Sequence, residues 1–410
     1  MGKDVDYERT KQKLDSLGQS GLLKYYFELN EDEKAGLLKD IGSIDFSLIG
    51  GKYAYDGGET GEIKPAKVKR TEEIKDNFGV YSAEGEKLLK QGKVAAVLLS
   101  GGQGTRLGFD KPKGMFDIGV TQEITIFSLL MKNVKEIASR ICAYFHLFIM
   151  TSKENDAETK EFFAKKAYFG YPFDKIHFYI QDTEPVTDLN GKVLLKDKRT
   201  VLRSPNGNGG WYSSLLGAGY KDLIEREGIE WLNVFSVDNV LQKICSPEFI
   251  GATSLSGCGC GAKVIKKACA EEKVGVLCER NLKPCVVEYY EMPENLAAAK
   301  DEKGGLLYGF GVTLNYLFNV KKLDAVTDRK LPYHLAKKAV PYYKDGKTVR
   351  PDSPNALKYE TLIVDMVSHM GSCLGFEIER EREFAPVKNR SGVDSIDTAR
   401  ELLKLNGVKL

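Results

Sequence analysis

An unbroken apolar run, Val94 to Leu99, stops at Ser100 and gives way to Gly101, Gly102 and Gly104. Such a run suits a strand buried on both faces, as in a parallel sheet. Glycine tolerates positive φ and puts no side chain between backbone and ligand, so N–H groups in the turn can converge on an anion. Arg106, Lys111 and Lys113 add cations to the same stretch. The dinucleotide pattern G-x-G-x-x-G fails because Leu107 holds its last position, and no Gly-Lys-Ser/Thr triplet follows to make a P-loop. Two readings remain: a polyphosphate site of another kind, or a plain glycine turn after a core strand.

Downstream, the apolar pattern alternates. Residues 125–142 have helical spacing, 145–151 read as strand, 155–167 as helix and 176–181 as strand. Helical spacing returns over 211–227 and a strand over 231–237. This order predicts an α/β fold with a doubly wound sheet. Ligands of such sheets sit beyond the carboxyl ends of the strands, where 101–113 and 238–239 fall. From 261 onward short strands come closely spaced (262–265, 274–278, 286–291, 306–314), then a helix over 356–370, a strand over 376–381 and a helix over 394–405.

The first part of the chain reads as helical over 7–17 and 21–29. Asn30-Glu-Asp-Glu33 has the form of a capping box. Residues 50–66 are glycine-rich and read as a loop or linker, and Ser82 is placed to cap a helix running to Gln91.

With 60 basic and 58 acidic residues the formal net charge is +2, so no global field favours nucleic acid and an anion site must be local. A length of 410 residues fits roughly two or three domains. The start, Met-Gly-Lys-Asp-Val-Asp, lacks the apolar stretch of a signal peptide, and no run is long enough to span a membrane. The 8 scattered cysteines fit a reducing compartment better than a disulfide framework. A cytoplasmic protein without membrane attachment is expected.

Several stretches carry candidate chemistry. Asp188-Leu-Asn-Gly191 is a turn between extended runs, and Pro205-Asn-Gly-Asn-Gly-Gly210 offers amides and bare backbone that could read a base edge or a sugar hydroxyl, or merely cap the next helix. Asp238-Asn239 ends an apolar strand with a carboxylate and an amide, a place where Mg²⁺ is commonly held or a turn is capped. Lys388, in Phe384-Ala-Pro-Val-Lys-Asn389, could reach a phosphate or lie on the surface. Cys258-Gly-Cys260 with Cys269 and Cys278 lacks zinc-site spacing. His146, His177, His334 and His369 are isolated in sequence, and none sits beside a nucleophile.

Taken together these segments resemble the eukaryotic-type UDP-N-acetylhexosamine pyrophosphorylases within the UDP-sugar pyrophosphorylase family. The resemblance rests on GGQGTRLGFDKPKGMFDIG, FIMTS, DLNGKVLL, PNGNGG, VDN, GAKVI, VGVLCE, VVEYYE, LLYGFG and FAPVKN, in that order from about residue 90 to 400. It implies a GT-A-like, Rossmann-related mixed sheet flanked by helices. It divides the chain into an N-terminal helical region (1–90), a nucleotidyltransferase core (91–385) and an abbreviated C-terminal lobe (386–410). The implied reaction joins UTP and N-acetylglucosamine 1-phosphate, with Mg²⁺ as cofactor, in a monomer or weak homo-oligomer.

Carried over position by position, the resemblance gives Arg106, Lys113 and Lys388 to the phosphates and the charge at the α-phosphorus. Gly101 and Gly102 let the nucleotide approach, Gln181 and Gly207 contact uracil, Asn208, Gly261 and Glu288 read the sugar, and Asp238 holds Mg²⁺. The chain departs from the family pattern at Val312, where an Asn is expected, and at Leu362 and Val364, where aromatics are expected. These departures leave room for another sugar, N-acetylgalactosamine or glucose. A silent UDP-sugar-binding regulator is the reading from a different class. It is disfavoured by the retained Arg106, Lys113 and Lys388.

Overall fold

The computed structural model describes residues 2–49, 61–327 and 331–410. Most of the glycine-rich stretch expected as a linker, 50–60, lies outside the described residues. The chain separates into two compact units, one built from 1–58, 182–210 and 330–363, the other from 59–181, 211–329 and 364–410. Packing therefore has no boundary at residue 90: residues 61–90 belong to the second unit, as do 386–410.

The second unit is organised on a mixed sheet of 11 strands among the described residues. They are β1 (Ile63–Pro65), β2 (Val68–Lys69), β3 (Val94–Leu99), β4 (Leu147–Thr151), β5 (Ile176–Ile180), β6 (Trp231–Ser236), β7 (Cys260–Lys266), β8 (Val276–Arg280), β9 (Lys283–Val287), β10 (Phe310–Asn319) and β11 (Cys373–Glu377). The main path runs β2-β11-β7-β10-β6-β3-β4-β5, with β1, β8 and β9 attached at β10. Strands β6, β3, β4 and β5 pair in parallel, and β10 lies antiparallel between β6 and β7. β3 and β4 are buried throughout, as their continuous apolar runs demand.

Helices cover this sheet: α1 (Phe78–Lys90), α2 (Ile126–Ile141), α3 (Asp156–Lys165), α4 (Trp211–Gly217), α5 (Lys221–Arg226), α6 (Pro247–Leu255), α7 (Ile363–His369) and α8 (Ile396–Leu405). α2 begins where Thr125 Oγ1 accepts from Ser128 N at 3.2 Å and ends at Cys142 in the left-handed region. Ser82 is not a cap: α1 starts a turn earlier, after Asn77, and Ser82 is buried within it. The helical stretch 211–227 breaks into α4 and α5 at Gly219, whose φ is +87°. Ile396, Ala399, Leu403 and Leu410 join the same apolar core as β3 and β4, so the C-terminal segment is part of this unit's interior.

In the first unit, helices Gly2–Ser16 and Glu31–Gly42 pack Leu14, Leu37 and Ile41 against Val193, Leu195 and Val201. The capping box is present, with Glu33 N donating to Asn30 Oδ1 at 3.0 Å and Asn30 N donating to Glu33 Oε2 at 3.1 Å. The helix expected over 21–29 is instead two 3₁₀ turns, Ser20–Leu23 and Tyr26–Glu28. The helix expected over 356–370 begins as a strand, Ala356–Glu360, paired with both His334–Lys338 and Thr187–Asp188, before turning into α7. Pairing with distant strands overrode the local periodicity there.

Candidate active site

The glycine loop follows β3 and folds on itself. Gly104 N donates to Lys111 O at 2.9 Å, Lys113 N donates to Gly102 O at 3.2 Å, and Gln103 bridges Pro112. A Cβ built at Gly102 meets nothing within 4 Å, so that backbone faces open space. At Gly114 the opposite holds: a Cβ would run into the Phe127 ring, which presses the Lys113 backbone onto α2.

The base of the loop is tied to the neighbouring strands. Ser100 N continues the ladder to Met150 O at 2.9 Å. Asn155, fully buried, donates to Ser100 O at 3.1 Å and accepts from Ser152 N at 2.7 Å. Gln181, just past β5, donates its N–H to Thr151 O at 2.8 Å, and its side-chain oxygen would lie 2.9 Å from a Cβ at Gly101. The buried Ser100 hydroxyl has no hydrogen-bond partner among the described residues, an orphan donor at the mouth of the loop.

The three cations of the loop have different fates. Lys113 is buried and its ammonium donates to Asp238 Oδ1, at the end of β6. Lys111 pairs with Glu158 at 3.6 Å. Arg106 sits exposed on the Thr105–Leu107 turn, and no hydrogen bond or ion pair among the described residues holds it.

Lys388 is brought to this region by hydrogen bonds between the backbone of its segment and residues 238–239. Val387 N donates to Asp238 O at 2.9 Å, Ala385 N to Asn239 Oδ1 at 2.9 Å, and Asn239 Nδ2 to Glu383 O at 2.7 Å. The VDN and FAPVKN segments are thus one structural piece. The Lys388 ammonium lies 3.1 Å from Asp394 Oδ2.

Gly261 lies in β7 with its missing Cβ toward Thr253 and Phe249 of α6, so packing against that helix already requires a glycine there. Glu288 follows β9, and its carboxylate would be 3.2 Å from a Cβ at Gly275. Burial, with Glu291, Glu288, Tyr289 and Asp365 nearby, pushes the Tyr290 phenol up to about 12. Tyr316 is buried, and its hydroxyl has no partner among the described residues. Val312 is half-buried on β10, its N–H donating to Gly275 O at 2.9 Å.

Gly207 and Asn208 belong to the first unit. Gly207 has a φ of +83° and its Cβ would collide with Thr361 O. Asn208 Oδ1 accepts from Ile363 N at 2.9 Å, and Gly209 N donates to Thr361 O at 2.9 Å. The glycines of this stretch thus let it lie flat against 361–363.

Sequence reasoning missed Asn155 and the pair Lys263–Glu383, because Asn155 meets Ser100, and Lys263 meets Glu383, across long stretches of chain. It missed Asp394, which meets Lys388 only six residues away but carries no motif of its own. It also treated the histidines as isolated, whereas His146 Nδ1 and His177 Nε2 lie 2.8 Å apart across β4 and β5. No group of three or more His, Cys, Asp or Glu side chains placed to hold a metal occurs among the described residues. Asp238 offers one carboxylate at this place, and Mg²⁺ takes one or two carboxylates together with phosphate oxygens and water.

The family described as UTP--glucose-1-phosphate uridylyltransferase matches residues 46–405. The UDP-N-acetylglucosamine pyrophosphorylase of Saccharomyces cerevisiae is 33% identical over 95% of this chain and 88% of its own. The UDP-N-acetylhexosamine pyrophosphorylase-like protein 1 of Mus musculus is 32% identical over 95% of this chain and 82% of its own. The crystal structure of the Trypanosoma brucei uridine diphosphate N-acetylglucosamine pyrophosphorylase superposes with a TM-score of 0.78 at 25% identity, covering 97% of this chain and 84% of that one. With the mixed sheet and the glycine loop in place, the chain belongs to the UTP--glucose-1-phosphate uridylyltransferase family.

Proposed function

We propose that this chain transfers a uridylyl group from UTP to N-acetylglucosamine 1-phosphate, giving UDP-N-acetylglucosamine and pyrophosphate. The observation that carries the reading is the half-buried Lys113–Asp238 contact beside the open backbone of Gly102, with Arg106 exposed on the same loop. In this reaction a phosphate oxygen of the sugar phosphate bonds to the α-phosphorus while the bond to the leaving pyrophosphate breaks. The nucleophile is already ionised, so no general base is required, and positioning and charge stabilisation are what the protein must supply. That agrees with a site holding cations and no histidine.

In this reading Gly101, Gly102 and the Ser100 hydroxyl receive the nucleotide, and Gln181 contacts uracil. Arg106, Lys113 and Lys388 hold phosphate oxygens and the charge that shifts to pyrophosphate. Asp238 would hold Mg²⁺, which when bound neutralises phosphate charge. Gly261 and Glu288 would meet the sugar, and the roles the resemblance gives to Gly207 and Asn208 fall to the first unit. A cytoplasmic setting is supported by all eight cysteines being free thiols. No helix among the described residues is long and apolar enough to cross a membrane.

A second sugar specificity, for N-acetylgalactosamine or glucose, is favoured by one observation: Val312 presents an apolar side chain on β10 where the resemblance calls for an amide. The test is pyrophosphate release from UTP with a panel of sugar 1-phosphates. The highest kcat/KM is expected with N-acetylglucosamine 1-phosphate. UTP binding without turnover on any sugar phosphate would replace the enzyme by a nucleotide-binding regulator.

A further inference from the structure

Lys263 lies in β7 where the register with β10 shifts between Ala262 and Val264. Such irregularities re-aim a side chain and free a backbone group from the ladder. Here the Lys263 carbonyl is covered by the Thr313 hydroxyl at 3.1 Å, next to Val312. The Lys263 ammonium, 1% exposed, donates to Glu383 Oε2 at 2.7 Å and to Lys243 O at 2.9 Å. The other carboxylate oxygen of Glu383 lies 3.5 Å from the Lys243 ammonium. Buried ion pairs of this kind are often no more stabilising than apolar side chains of similar volume, so stability alone does not account for this one.

What the pair holds is the piece that carries the site. Glu383 O accepts from Asn239 Nδ2, Asn239 Oδ1 accepts from Ala385 N, Asp238 O accepts from Val387 N, and Lys388 is the next residue. We infer that Lys263 and Glu383 are positioning residues, a buried pair whose function is to fix Asp238 and Lys388 relative to each other. The inference rests on the proposed uridylyl transfer, in which both of those residues serve. Geometry is the lever: displacing a reacting group by an ångström is enough to lose most of the rate.

The experiment compares the parent with Glu383→Gln, which keeps the shape and a hydrogen-bonding group, and with the double variant Lys263→Met/Glu383→Met, which leaves no unpaired charge in the interior because the Lys243 side chain is exposed. Four quantities are read: Tm, amide hydrogen exchange at Ala385 and Val387, kcat, and KM for UTP. In the double variant Tm stays within a few degrees of the parent, exchange at the two amides rises about tenfold or more, and kcat falls about tenfold or more with KM for UTP changed less than about threefold. Glu383→Gln shifts exchange and kcat in the same direction. Unchanged exchange at Ala385 and Val387, or faster exchange with kcat intact, overturns the inference. If the parent itself releases no pyrophosphate, the uridylyl-transfer reading fails, and the exchange measurement still decides whether the pair pins the segment.

Discussion

The Lys113 ammonium donates to the Asp238 carboxylate, joining the glycine loop to the end of β6 across 125 residues of chain. A cation and an anion of the proposed site thus neutralise each other. Bound phosphates offer Lys113 new acceptors, and a cation bound with them offers Asp238 a new partner. The proposed reactants would therefore compete with this contact for both of its members.

Replacing Asp238 by Asn tests this directly. Asp238→Asn should retain UTP binding but raise the Mg²⁺ concentration needed for half-maximal rate by about tenfold or more, because an amide is a much poorer ligand for a hard cation. Chelation should abolish turnover of the parent. An unaltered Mg²⁺ dependence in the variant would place the ion elsewhere.

Arg106 is exposed and has no hydrogen-bond or ion-pair partner among the described residues, so removing it should cost little stability. Arg106→Ala is expected to lower kcat by roughly 10²-fold or more, in line with the loss of one well-aimed donor to developing charge. Steady-state kinetics separate the roles: a rise confined to KM would make the arginine a binding group.

Two glycines of the same loop should separate packing from ligand approach. Gly102→Ala adds a methyl group in open space, so Tm should not move while KM for UTP rises, if the nucleotide lies against that backbone. Gly114→Ala drives a methyl into the Phe127 ring and should lower stability by about 1–3 kcal/mol, measured by denaturant unfolding.

The His146–His177 pair predicts a pH dependence unrelated to catalysis. Burial, then the proximity of His146 and Lys175, lowers the His177 pKa from 6.5 to about 4, and burial also lowers that of His146. Asp174 and Glu227 oppose the shift. Below the unfolded value the unfolded chain binds protons that the native pair refuses, so stability is full above pH 6.5 and is lost as pH falls toward about 4. Thermal unfolding across that window should show Tm falling with pH, and the slope should flatten in His177→Gln.

Sequence by itself determined the β3 strand, its glycine loop and the alternation that follows, because continuous apolar runs and helical spacing are local signals. It also marked Arg106, Lys113, Asp238 and Lys388, since their neighbours carry recognisable order. The strand Ala356–Glu360 was illegible, because its conformation comes from partners about twenty residues upstream and in 187–188. For the same reason no local pattern revealed that 2–49 packs with 182–210 and 331–363. Tertiary structure alone decided which charges meet. Lys113 finds Asp238 and Lys263 finds Glu383 because strands distant in sequence lie side by side, and a charge is tolerated in the interior only where such a partner arrives.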